Sequence, residues 1–101
     1  MAEQAVIVQF RHSGGWSDFF GWEPSIEQAV TDAGYEYDGN ELTPDGSAGA
    51  IYMYGPDADK LFAAALPALK SAPFLSHKVA TLRYGEATDP KAREKTVVID
   101  P

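Results

Sequence analysis

The chain has 101 residues, 8 Lys+Arg against 15 Asp+Glu, and no cysteine. One domain is the expectation at this length. The missing thiols exclude a disulfide framework, a thiolate zinc site, an iron–sulfur cluster and a cysteine nucleophile. A net charge of −7 opposes any role that depends on neutralising phosphates.

Met1-Ala2-Glu3 puts an acid where a secretory signal carries bases. The longest uncharged apolar stretch, Leu61 to Leu69, is too short to span a bilayer and contains Pro67. A cytoplasmic protein without a membrane or nucleic-acid partner is expected.

Ala5 to Arg11 predicts the first strand, with Val6, Val8 and Phe10 on one face and Ile7, Gln9 and Arg11 on the other. Ser13-Gly14-Gly15 breaks it. The segment Gly15 to Trp22 reads as a loop, crowded with Trp16, Phe19, Phe20 and Trp22. A helix opens at Glu23-Pro24-Ser25, since proline suits a first turn that needs no N–H. Ile26, Ala29, Val30 and Ala33 form its apolar stripe, and Gly34 ends it.

Tyr35 to Asp38 alternates as a half-exposed second strand, and Asp38-Gly39-Asn40 and Thr43 to Ser47 carry turn chemistry, so the strand is either short or resumes at Glu41-Leu42. Gly49 to Tyr54 is the third strand, closing a hairpin with the second. Gly55-Pro56-Asp57 leads into a second helix whose stripe is Ala58, Leu61, Phe62, Ala65, Leu66 and Leu69, with a bend expected at Pro67. Lys70-Ser71-Ala72-Pro73 ends it. His77 to Tyr84 is the fourth strand, and Thr96 to Ile99 a short fifth that folds back on it. Two helices on one face of an antiparallel sheet, in the order βαββαβ plus a C-terminal strand, define an α+β, ferredoxin-like sandwich. Strands one and three then belong at its centre.

Local signatures of chemistry are absent. Asp38-Gly39-Asn40 opens like a calcium loop, but Leu42 falls on a ligand position and the twelfth position is Gly49. His12 and His77 lack a carboxylate at metal-site spacing, and no metal or other cofactor is expected. No nucleophile elbow, P-loop or dinucleotide glycine pattern occurs. Residues 12–55 hold eight acids and no Lys or Arg. This is a solvated acidic surface, or one that steers a cationic partner.

The uncovered sheet face is more informative. Alternation puts Tyr52 and Tyr54 outward on the third strand, flanked by Arg11 and Arg83, and Tyr and Arg dominate interface hot spots. An RNA-recognition sheet is excluded, because Ser47-Ala48-Gly49-Ala50-Ile51 lacks the basic and aromatic positions. The stretch Tyr54 to Phe62, with Leu82-Arg83-Tyr84-Gly85, resembles a group of small bacterial proteins. That resemblance implies a ferredoxin-like fold and a bacterial origin, and implies no activity.

The expected function is a non-enzymatic binding domain working through the open face at Arg11, Tyr52, Tyr54 and Arg83, with a homodimer as the expected assembly. Two alternatives belong to other classes. One is a small-molecule enzyme with its pocket between the aromatic segment (Trp16, Phe19, Phe20, Trp22) and the sheet. The other is an acidic immunity or inhibitor protein.

Overall fold

Residues 3–12, 16–72 and 74–99 are described by the structure, a computed structural model. The elements are β1 (Gln4–Arg11), α1 (Ser17–Asp32), β2 (Glu36–Leu42), β3 (Ala48–Gly55), α2 (Ala58–Lys70), β4 (Ser76–Arg83) and β5 (Glu94–Ile99). The fold is α+β, with all five strands in one antiparallel sheet of order β2-β3-β1-β4-β5. The expected break at Ser13-Gly14-Gly15 and the helix-ending Pro73 lie outside the described residues, as do Met1 and Ala2.

Alternation along the strands sends Val6, Val8, Phe10, Ile51, Met53, Ala80 and Leu82 to one side. There they form a single core with Phe19, Trp22, Ile26 and Val30 of α1 and Ala58, Leu61, Ala65 and Leu69 of α2. Both helices therefore cover one face and leave the other open. The four α1 residues recur at i, i+3, i+7 and i+11, one stripe of a helix.

That stripe overturns the aromatic loop. Helix α1 begins at Ser17, six residues before Glu23, and Pro24 lies inside it. An interior proline forfeits a backbone bond and costs about 3 kcal/mol. Burying Phe19 and Trp22 is worth about 1.5–3 kcal/mol each, so packing more than offsets it. The Trp22 indole also donates to the Ala68 carbonyl of α2 at 2.9 Å, tying the two helices together. Ala33 is exposed as the C-cap rather than part of the stripe. Gly34 follows at φ +88°, and the Gly34 and Tyr35 amides return to the Thr31 and Val30 carbonyls at 3.0 and 3.1 Å. This paired closure satisfies carbonyls that the helix end leaves free.

Asp38-Gly39-Asn40 is likewise not a turn. Strand β2 runs through it, and three steps from Tyr37 to Asn40 oppose two from Met53 to Ile51. The extra residue is a bulge, which Gly39 permits at φ +99°. It shifts the alternation, so Tyr37 and Asn40 both reach the helix side, where the Tyr37 hydroxyl and Asn40 amide donate to Glu23 at 2.6 Å each.

This junction yields an alkaline signature. Burial, then the Glu23 hydrogen bond, pushes the Tyr37 phenol far above its ordinary value of 10.0. The folded chain keeps a proton that the unfolded chain releases above pH ~10, so the stability is fully present below that pH. It falls above it by about 1.4 kcal/mol per pH unit for such a group. Urea titrations at about pH 8, 10 and 11.5 should show a shallower alkaline decline for Tyr37→Phe than for wild type. Equal slopes would exclude Tyr37 as a source.

Helix α2 starts with Asp57, whose carboxylate accepts the Lys60 amide at 3.1 Å, and continues through Pro67. Its buried residues are Ala58, Leu61, Ala65 and Leu69, whereas Phe62 and Leu66 are only half-buried. They face toward β5, where no helix lies on the sheet. Strand β5 pairs within the chain, with β4, from Lys78↔Ile99 to Arg83↔Glu94.

Candidate functional site

The open face is laid out by the strand register. One row across the sheet is Glu36, Tyr54, Ala5, Arg83 and Glu94. The next is Tyr52, Ile7, Thr81 and Thr96, followed by Glu41, Ala50, Gln9, Val79 and Val98. Arg11 closes the face between Ala48 and Ser76. Arg11, Tyr52, Tyr54 and Arg83 thus stand on the surface that alternation assigned to them.

The charges sort laterally. Glu36, Asp38 and Glu41 line the β2 flank, the tyrosines occupy β3, the arginines belong to β1 and β4, and Glu94 stands at the β5 edge. Burial, then Asp38, raises the Tyr54 phenol, while Arg83 pulls the other way. Ala5, between Tyr54 and Arg83 in the row, puts only a methyl group between them. Burial, then Glu41, raises Tyr52, whose hydroxyl meets Glu41 at 3.4 Å. The Arg83 side chain is held by donating to the Gly85 carbonyl at 2.7 Å.

Toward the Arg11 end the face deepens into a hollow of about 460 Å³. Ala48 and Ala50 give it a low floor, and Gln9, Arg11, Glu41, Tyr52 and His77 surround it. Sequence reading missed Glu41 and His77. Glu41 faces outward because of the Gly39 bulge. His77 sits at the irregularity where Arg11 pairs with Ser76, and its φ of +52° is an unusual conformation for a residue with a Cβ. Only the glycine in Asp38-Gly39-Asn40 could have signalled the first shift, whereas His77 has the parity of Thr81 and Arg83, so alternation already points it to the open face.

The aromatic residues go elsewhere. Phe19 and Trp22 are buried between α1 and the sheet, and Trp16 is half-buried with its indole donating to the Thr43 carbonyl at 3.1 Å. Phe20 alone of the four is exposed, at 54%. Phe19 and Trp22 fill the space between the aromatic segment and the sheet in which the alternative, enzymatic reading puts its pocket. His12 joins this side, its ring 4.7 Å from that of Trp16, and neither imidazole nitrogen has a partner among the described residues. It is therefore separated from His77 by the sheet itself.

Chemically, the open face offers hydrogen-bonding groups of both signs around a shallow apolar floor. Among the described residues no three His, Asp or Glu side chains gather as a metal site requires, and no helix is long and apolar enough to cross a membrane. Fold and face together define an α+β protein with a one-sided helical layer and an amphipathic open sheet. Compared with known families, curated proteins and solved structures, the chain matches none. The likeness of Tyr54 to Phe62 to small bacterial proteins gains no support from them.

Proposed function

We propose that the chain is a non-enzymatic binding domain that works through its open sheet face and pairs there with a second copy of itself. The order β2-β3-β1-β4 supports reading the sheet as a ferredoxin-like, split βαβ arrangement with β5 added at the β4 edge. One observation carries the partner. The tyrosines of β3 and the arginines of β1 and β4 stand side by side at the middle of the face, with acids at both edges (Glu36, Asp38 and Glu41 on β2, Glu94 on β5), and a copy that lays tyrosines over arginines complements that middle.

Because β1 is the central strand, a two-fold axis along it lays β3 of one copy over β4 of the other. Tyr54 then lies over the facing Arg83, twice per dimer, and each desolvated cation–π contact is worth up to about 2 kcal/mol. The axis also brings Arg11 toward its copy. Packed sheets cross at about 30°, which over four residues from Ile7 separates these strand ends by about 7 Å. The arginines are thereby kept apart.

Analytical ultracentrifugation at about 100 μM should give the mass of a dimer for wild type and of a monomer for Tyr52→Glu/Tyr54→Glu, with circular dichroism unchanged. A monomeric wild type would sink the proposal, as would a dimer indifferent to the substitutions.

A further inference from the structure

Two helices cover five strands, and the uncovered share falls on β5. Along its helix side a trough runs between α2 and β5. At one end Phe62, Leu66, Val97 and Ile99 surround a cavity of about 190 Å³, with Lys70 at its rim. At the other, Asp59, Tyr84, Arg93, Glu94 and Lys95 line a cavity of about 530 Å³. Phe62 and Leu66, with Asp59 before them and Lys70 after, lie at i+3, i+7 and i+11 from Asp59, so they mark one edge of a continuous path. At 1.5 Å per residue that path is about 16 Å long, three helical turns.

Its charge is opposite to that of the protein. Of eight Lys and Arg in the chain, Lys70, Arg93 and Lys95 border this trough. Of the two acids there, Asp59 has its carboxylate engaged by the Tyr84 hydroxyl at 2.7 Å, and Glu94, paired with Arg83, belongs to the open-face row on the other side of the sheet. We infer that the trough between α2 and β5 is a docking site for an acidic amphipathic helix of a partner protein. Its apolar stripe would lie on Phe62, Leu66 and Val97, and its carboxylates would meet cations at both ends. The acidic β2 flank belongs to the opposite edge of the sheet. A Debye length of about 8 Å at physiological salt screens that distant repulsion, so the local cations govern.

The probe is a labelled helical peptide of about 14 residues, leucine on one stripe and glutamate elsewhere, read by fluorescence anisotropy at about 0.15 M salt. Its counterpart carries lysine in place of glutamate. Wild type should bind the glutamate peptide at least tenfold more tightly than the lysine peptide. Arg93→Glu/Lys95→Glu should lose at least tenfold, while the charge-matched Lys60→Glu/Lys91→Glu, outside the trough, retains binding. Lys95→Glu alone should give an intermediate loss, and all variants should melt as wild type does. Tyr52→Glu/Tyr54→Glu should bind the peptide normally, which separates this site from the sheet-face dimer. Equal affinity for both peptides, equal losses in the two double variants, or preference for a single-stranded oligonucleotide would overturn the assignment. So would a change in oligomeric mass caused by Arg93→Glu/Lys95→Glu, which would make the trough a contact between copies.

Discussion

Phe19→Ala is expected to lower unfolding free energy by about 3–5 kcal/mol, the range for deleting a buried aromatic ring. Phe19 is fully buried, and its ring centroid lies 5.6 Å from that of Phe10 and 5.7 Å from that of Trp22. Truncation leaves a cavity between α1 and β1 that neither the strand nor the helix is free to fill. Phe20, the next residue, is 54% exposed, and Phe20→Ala should cost less than about 1 kcal/mol. The contrast tests the helix directly, because consecutive residues on a helix point about 100° apart, whereas an aromatic loop plugging the core has no such phase. Similar losses for both in urea titrations would remove α1 from residues 17–22. A chain of this size has a total stability of about 5–15 kcal/mol, so Phe19→Ala should also lower the melting temperature by many degrees.

Lys78→Ala is expected to be nearly as damaging, at about 2–5 kcal/mol. Lys78 is 1% exposed and points to the helix side of β4. Its Nζ donates to the Leu69 carbonyl at 2.7 Å and the Ala72 carbonyl at 3.4 Å, at the C-terminal end of α2. Those carbonyls also accept backbone amides, Leu69 from Ala72 at 3.4 Å and Ala72 from Leu75 at 3.1 Å, and the ammonium adds a second donor to each and a positive charge at the negative end of the helix. Alanine removes the donor and the packed stem together. Lys78→Met keeps most of the stem and isolates the donor, so its loss should be smaller, about 1–3 kcal/mol. Burial holds the Lys78 ammonium below its ordinary value of 10.5. The folded chain releases this proton before the unfolded chain does, so the lysine's own contribution is greatest above 10.5 and declines as pH falls through the folded value. That sign is opposite to the tyrosines. Lys78→Met should therefore remove a gain in stability on approaching pH ~10, visible as a difference between the variant and wild-type pH profiles. Identical profiles would show that Lys78 titrates alike in both states.

Much of the architecture was legible in local pattern. The β1 alternation of Val6, Val8 and Phe10 against Gln9 and Arg11, and that of Ile51 and Met53 against Tyr52 and Tyr54, specified which side of the sheet each residue takes, because strand side chains alternate regardless of what surrounds them. Gly34 and Pro56-Asp57 similarly marked helix ends through backbone chemistry that needs no tertiary partner. The candidate face at Arg11, Tyr52, Tyr54 and Arg83 followed from that alternation.

Elsewhere local rules pointed the wrong way. Pro24 and Gly39 are strong punctuation, yet α1 continues through one and β2 through the other. A breaker imposes a penalty of a few kcal/mol, and only the assembled core reveals whether burial exceeds it; at Phe19 and Trp22 it does. At Gly39 the strand absorbs the irregularity as a bulge, and one extra residue turns Glu41 to the open face and Asn40 toward Glu23. The buried position of Lys78 is equally illegible in a strand of mixed composition, since it depends on where α2 ends in space.

By itself the sequence determined the element order, the α+β class, the outward placement of the tyrosines and arginines, and an acidic chain without thiol chemistry. These are properties of composition, period and turn residues, each decided within a few neighbours. Tertiary structure alone decided where α1 begins, that β2 is continuous, that Lys78 closes α2, and that β5 leaves a basic trough beside it. Those outcomes depend on contacts between residues distant along the chain, whose free energies outweigh local preference and have no signature in any short window.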